Sequence, residues 1–313
     1  MPKSGSPVPS GLASQPSGSR RQATFVSQQA RVGRLLVLPA LIVFSVVILY
    51  PFVRAIVGAF FRDTLFLPEP VFGGLRNFRD LFASAPVLAS WTRTIVFVGV
   101  GTALTLLLGF AWAVVLNERW PGAKLMRSLS LLPWLFPSTV VAFLWAWIFN
   151  AQYGVINGLL LRLDLIDQPI FWLSSSAGAM SAVIVAKTWA TIPFSMAFFL
   201  AALQTIPGDQ LDAARVDGAG NGSVMRHIVL PHVRYTTVIL VVLVAVNNLQ
   251  HFDIIYAMTE GGPVRATTVL AIEVYKQAFQ SWNVGLASAI GVVWLATIAV
   301  PAYYYLRSIF GDE

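Results

Sequence analysis

The side chains in this sequence that could do chemistry sit in apolar surroundings. Lys187, Thr188 and Thr191 interrupt one long apolar run, and Asn247, Asn248, Gln250, His251 and Asp253 interrupt another. Ammonium, amide, hydroxyl and carboxylate groups placed this way bind a polar solute or one another. At helical spacing Lys187 and Thr191 share a face, as do Thr188 and Thr191; Asn247, Gln250 and His251 share a second. Adjacent helical side chains diverge by about 100°, so Asn247 and Asn248 do not face the same way. An ammonium as deep as that of Lys187 has three outlets: a solute, an ion pair with a neighbouring subunit, or a stretch along its own stem to water. For the asparagines, hydrogen bonds between helices, worth about 0.6–2 kcal/mol, compete with solute contact.

Other chemistries find no support. His227, His232 and His251 lack metal-ligand spacing, and no glycine-rich loop ends in Gly-Lys-Ser/Thr to cradle phosphates. No Ser-His-Asp set or carboxylate pair stands out. Zero cysteines exclude disulfides, thiol catalysis and cysteine metal sites. The expectation is a chain with no catalytic, cofactor or metal site of its own.

The elements that must position these residues are membrane spans. Of 313 residues 57% are hydrophobic and 11% charged, with mean hydropathy +0.71. Soluble domains carry about 25% charged residues, so the lipid bilayer is the first partner and the fold class is all-α integral membrane. The net charge of +7 fits basic loops beside a membrane, not nucleic-acid binding. Six stretches are long and apolar enough to span: Leu35–Ala59, Trp91–Leu116, Leu129–Phe149, Ala179–Leu203, Thr236–Met258 and Val284–Leu306. The Ser/Pro/Gly-rich segment 1–32 reads as a disordered basic tail, and 33–313 as the six-span domain. The dense Lys/Arg clusters lie in the tail and in the loops 117–128 and 204–235, which puts both termini in the cytoplasm. Gly74–Phe82 has the pattern of an interfacial amphipathic piece.

The longest punctuated polar segment runs from Ile206 to Pro231. Asp209 suits an N-cap, and a short helix should run to Val216 and end at Gly218. Gly220–Ser223 reads as a turn, and a second short helix should start near Val224 and stop at Pro231. Its surface is small (Ala213, Ala214, Gly218, Ala219) and mixed in charge (Asp212, Arg215, Asp217). Such a surface either covers the end of a bundle or lets another protein's backbone approach closely.

The spacing Asp212-Ala213-Ala214, three residues, Gly218, nine residues, Ile228, one residue, Leu230-Pro231 resembles the cytoplasmic motif of ABC-importer permeases. Asp212 stands where Glu is usual, and Met225 where an aromatic is common. Gly74-Leu75-x-Asn77-Phe78, Trp189 with Pro193-Phe194, and Phe252-Asp253-x-Ile255-Tyr256 to Gly261-Gly262-Pro263 are similar to the carbohydrate branch of that family. So are Tyr275, Ala278, Phe279, Gly285, Ala287 and Ala289.

The resemblance implies a type I importer permease of a bacterial inner membrane, carrying di- or oligosaccharides such as trehalose or maltose. Glycerol phosphate on the same build is the alternative; an ATP-independent secondary transporter is the rival class. It implies a second permease subunit, two copies of an ATP-binding subunit holding ATP and Mg, and an extracytoplasmic solute-binding protein. It also implies that Asp212–Ala219 couple to the ATPase, with Lys187, Thr188, Thr191, Asn247, Asn248, Gln250 and Asp253 as pathway candidates. Phe252–Pro263 would be an outer gate, or else a helix end with its turn.

Overall fold

The computed structural model of the chain describes residues 37–64, 66–118 and 120–310, with side chains to 299. The expected basic tail 1–32 lies outside the described residues. The chain divides into two units, 1–55 and 56–313. The first holds most of helix α1 (Val37–Gly58). Within α1 a π turn at Ser45–Leu49 ends two residues before Pro51. The wider turn accommodates a ring that would clash with the carbonyl four residues back.

The second unit opens with a two-stranded ribbon, β1 (Phe61–Arg62) and β2 (Val71–Phe72), and α2 (Arg76–Ala83). The amphipathic piece is thus α2, pinned by Asn77 Nδ2, which donates to the Ala59 and Phe61 carbonyls at 2.9 and 2.7 Å. The long helices α3 (Ala85–Asn117), α7 (Ser176–Leu203) and α9 (Asn221–Leu249) follow, each apolar enough to cross a membrane. The last helix is α12 (Val284–Phe310). Among the described residues four helices, α1 included, meet span length and hydropathy, and a bent pair makes a fifth.

That pair corrects the unbroken third span. Leu129–Phe149 is not one helix: α4 (Ala123–Leu135) and α5 (Ser138–Ile148) meet at 98°. Phe136, in extended backbone before Pro137, makes the break. The fifth span is corrected too. Helix α9 ends at Leu249, and α10 (Asp253–Thr259) is separate. Helix α6 (Val155–Arg162) lies in the 151–178 connection, and α11 (Leu270–Tyr275) continues as a π turn to Gln280.

The core is built on α3 against α7. Along α3 the buried positions Ser90, Thr94, Phe97, Gly101, Thr105, Gly109 and Ala113 recur every three or four residues. Most are small, because without a hydrophobic drive between helices in lipid, close backbone approach supplies the packing. A Cβ on Gly109 would meet the Ser195 side chain at 2.7 Å and the Met196 nitrogen at 3.1 Å. One cluster gathers Ala113, Leu116, Met196, Phe199 and Leu240 near the loop that carries Asp212. Another gathers Phe97, Val141, Val183, Ile254, Ile255 and Ile272 toward the opposite end.

Replacing Gly109 with Val should therefore force α3 from α7 and cost about 1–3 kcal/mol, the usual range for overpacking. Adding Ser195→Gly should recover part of the loss. Thermal unfolding in detergent tests both, and no recovery would place the strain elsewhere.

Candidate functional site

The two helix breaks and α7 enclose a cavity of about 470 Å3, inside the range of about 300–1,000 Å3 usual for small-ligand sites. The α4–α5 corner supplies Trp134, Phe136 and Ser138; α7 supplies Lys187, Ala190, Thr191 and Phe194. The end of α9 and the start of α10 supply Val244, Asn247, His251 and Ile254. One wall is aromatic, with Trp134 and Phe194 ring centres 5.9 Å apart. The other is polar.

Lys187, only 7% exposed, donates from Nζ to Asn247 Oδ1 at 2.7 Å. The lysine therefore stays buried instead of stretching to water. Thr191 Oγ1 donates to the Lys187 carbonyl at 2.9 Å. His251 Nε2 is buried with no partner. Such an arrangement offers a polar solute hydrogen bonds, charge and ring faces.

Of the seven residues expected along a pathway, Lys187, Thr191 and Asn247 line this cavity. Asn248 faces α3 and donates to Thr102 Oγ1 at 3.2 Å. Thr188 is buried away from the cavity, with an unpartnered hydroxyl. Gln250 follows the last residue of α9, and Asp253, exposed, begins α10; neither lines the cavity. Reasoning from sequence did not single out Trp134 and Phe136, which only the corner turns inward.

The polar loop forms α8 (Gly208–Val216), with no buried residue. Its cap is Pro207, not Asp209; Asp209 sits in the first turn, where negative charge still suits the helix dipole. Gly218 ends the helix at φ +83°, as expected. Arg215 and Asp212 pair at 3.4 Å in the open, which contributes at most about 1 kcal/mol. Val216 is 87% exposed. The expected turn at 220–223 and the separate second helix do not form. Helix α9 starts at Asn221 and runs through Pro231, because a π turn at Met225–Val229 makes room for the ring.

At the opposite end, Glu260 and Gly261 adopt positive φ, and Thr267 and Thr268 hydroxyls donate to the Gly262 and Gly261 carbonyls, each at 2.9 Å. Beside this turn Glu273 is fully buried, paired with Arg265 and bonded by Gln277 Nε2 at 2.9 Å. The lone carboxylate in Thr-Val-Leu-Ala-Ile-Glu-Val-Tyr was the signal for it.

Helices of span length around a polar cavity define a polytopic membrane protein of the permease kind. Residues 101–308 match the family described as binding-protein-dependent transport system inner membrane component. The trehalose/maltose transport system permease protein MalF of Thermococcus litoralis is 33% identical over 90% of this chain and 94% of its own. The sulfoquinovosyl glycerol transport system permease protein SmoG of Agrobacterium fabrum is 33% identical over 88% of this chain and 89% of its own. A chain of a bacterial ABC transporter involved in the import of the acidic polysaccharide alginate superposes with TM-score 0.75 at 22% identity, covering 92% of this chain and 99% of that one. The chain belongs to the binding-protein-dependent inner membrane component family, and its fold is that of type I importer permeases.

Replacing Asn247 with Leu should strand the Lys187 ammonium and cost about 1.5–3 kcal/mol, the range for a bond to a charged group. The double variant Lys187→Met/Asn247→Leu should cost less than the two single losses added. Unfolding titrations in detergent measure this cycle, and strict additivity would mean that the pair does not interact.

Proposed function

We propose that this chain is one of two permease subunits of a bacterial importer of carbohydrates, driven by ATP hydrolysed on two copies of a separate subunit. An extracytoplasmic binding protein delivers the solute. The chain crosses the inner membrane six times, α4–α5 forming the broken third crossing and α12 the last. Segment 1–32 and the C-terminus lie in the cytoplasm. The relatives named for trehalose/maltose and sulfoquinovosyl glycerol transport support the carbohydrate class. The cavity of Lys187, Thr191, Asn247 and Trp134 is the solute's resting place on its route.

The observation that carries the coupling role is α8. It projects no side chain into a core, yet keeps a small face of Ala213 and Ala214 and a defined glycine end. A nine-residue helix is marginal by itself, so a surface of this kind is held by something docked on it. We assign that role to the ATPase subunit, with Asp212, Ala213, Ala214, Arg215, Asp217, Gly218 and Ala219 at the contact. ATP-driven closure of the motor moves α8, and the spans rock to open the cavity alternately to either side.

The absence of cysteine makes the test clean. A single Ala213→Cys in the complete importer should cross-link to a cysteine in the ATPase and react with a membrane-impermeant maleimide only from the cytoplasmic side. Ala213→Trp should insert normally while abolishing solute-stimulated ATP hydrolysis. Labelling from outside, or stimulation that survives the tryptophan, would overturn the assignment.

A further inference from the structure

We infer that the cavity is built for an anionic solute, a sugar or polyol bearing a carboxylate, phosphate or sulfonate, with Lys187 as the residue that reads its charge. This rests on the reading of the cavity as the solute site.

The inference follows from a donor count. Lys187 Nζ has three protons and gives one to Asn247 Oδ1. That bond takes one of the two lone pairs on the asparagine's oxygen and leaves its NH2 free to donate to a ligand. No Asp or Glu lines the cavity, and among the described residues no carboxylate pairs with Lys187. Asp253, exposed at the head of α10 and outside the lining, acts on the Lys187 charge through space and not by contact. His251 adds a buried ring nitrogen without a partner.

A neutral sugar presents hydroxyls that both donate and accept, so its site must take up protons as well as give them. An oxyanion only accepts. A wall with an ammonium that has two protons to spare and a free amide NH2 matches the second, and no carboxylate in the lining opposes it. The charge argument agrees. An ammonium 93% buried with no carboxylate in contact is costly, and an incoming anion supplies a partner at contact distance. Trp134, Phe136 and Phe194 take the apolar face of a ring or glyceryl chain. The same wall rejects a cationic solute by like charge.

The test uses the complete importer with its own binding protein in proteoliposomes. Uptake of three labelled anions (a uronic-acid disaccharide, glycerol 3-phosphate and a sulfonated glycoside) is compared with that of trehalose and maltose. At least one anion should be carried in preference to both neutral sugars, and the three arms separate carboxylate, phosphate and sulfonate. Lys187→Gln should lower the anion-to-neutral uptake ratio about tenfold or more, the loss of one charged hydrogen bond, while Lys187→Arg preserves it. A wild-type importer that carries only neutral sugars, with a ratio indifferent to Lys187→Gln, overturns the inference. Ala190→Phe, which fills the cavity, separates the two layers. If it blocks uptake in an assembled complex while Lys187→Gln is silent, the cavity stands and the anion does not. If uptake survives Ala190→Phe, the cavity is not the solute's route, and both fall.

Discussion

The closeness of α3 to α7 is the constraint on which the rest of this structure depends. In lipid, burying apolar side chains between helices gains little over leaving them in acyl chains. Helices then hold together by contact of surfaces near the backbone. Gly109 against Ser195 sets that distance, and the Ser90, Thr94, Gly101 and Thr105 positions extend it along α3. Because α7 is fixed in this way, Thr191 and Lys187, four and eight residues before Ser195 on the same helix, are fixed too.

The cavity opens where helices stop. Irregular backbone at membrane depth is tolerated only inside protein or against water, since lipid cannot satisfy its N–H and C=O groups. Phe136–Pro137 and Gln250–Phe252 are two such interruptions, and both border the same space. The breaks free the aromatic rings of one corner and the polar end of α9 to face a single side of α7. A bundle of unbroken rods would have sealed it.

Much of this was legible in the residues, and the parts that were not have identifiable causes. The apolar lengths located α1, α3, α7 and α12, and small polar punctuation located α8 and its end at Gly218. The divergence of neighbouring helical side chains separated Asn247 from Asn248, though not which of them faced Lys187; that needs the rotation of α9 against α7. Pro231 misled, because a stop signal in ordinary helix becomes a passenger once a π turn precedes it. Phe136–Pro137 misled the other way, since hydropathy over Leu129–Phe149 is blind to a 98° turn of the backbone. Glu273 stood in plain view as one acid among apolar neighbours. Its partner Arg265 lies beyond helical spacing and only the fold joins them.

The continuity of α9 has a mechanical corollary. From Asn221, beside the exposed loop, to Asn247, bonded to the buried lysine, the backbone is one rod about 39 Å long at helical rise. A tilt of about 5° about its loop end swings the far end by roughly 3 Å on that helical length. The Lys187–Asn247 bond is 2.7 Å, so a swing of that size is enough to part it. A slight nudge at one face of the membrane thus has the leverage to undo a single hydrogen bond at its centre, and the bond, once made, resists the nudge in turn.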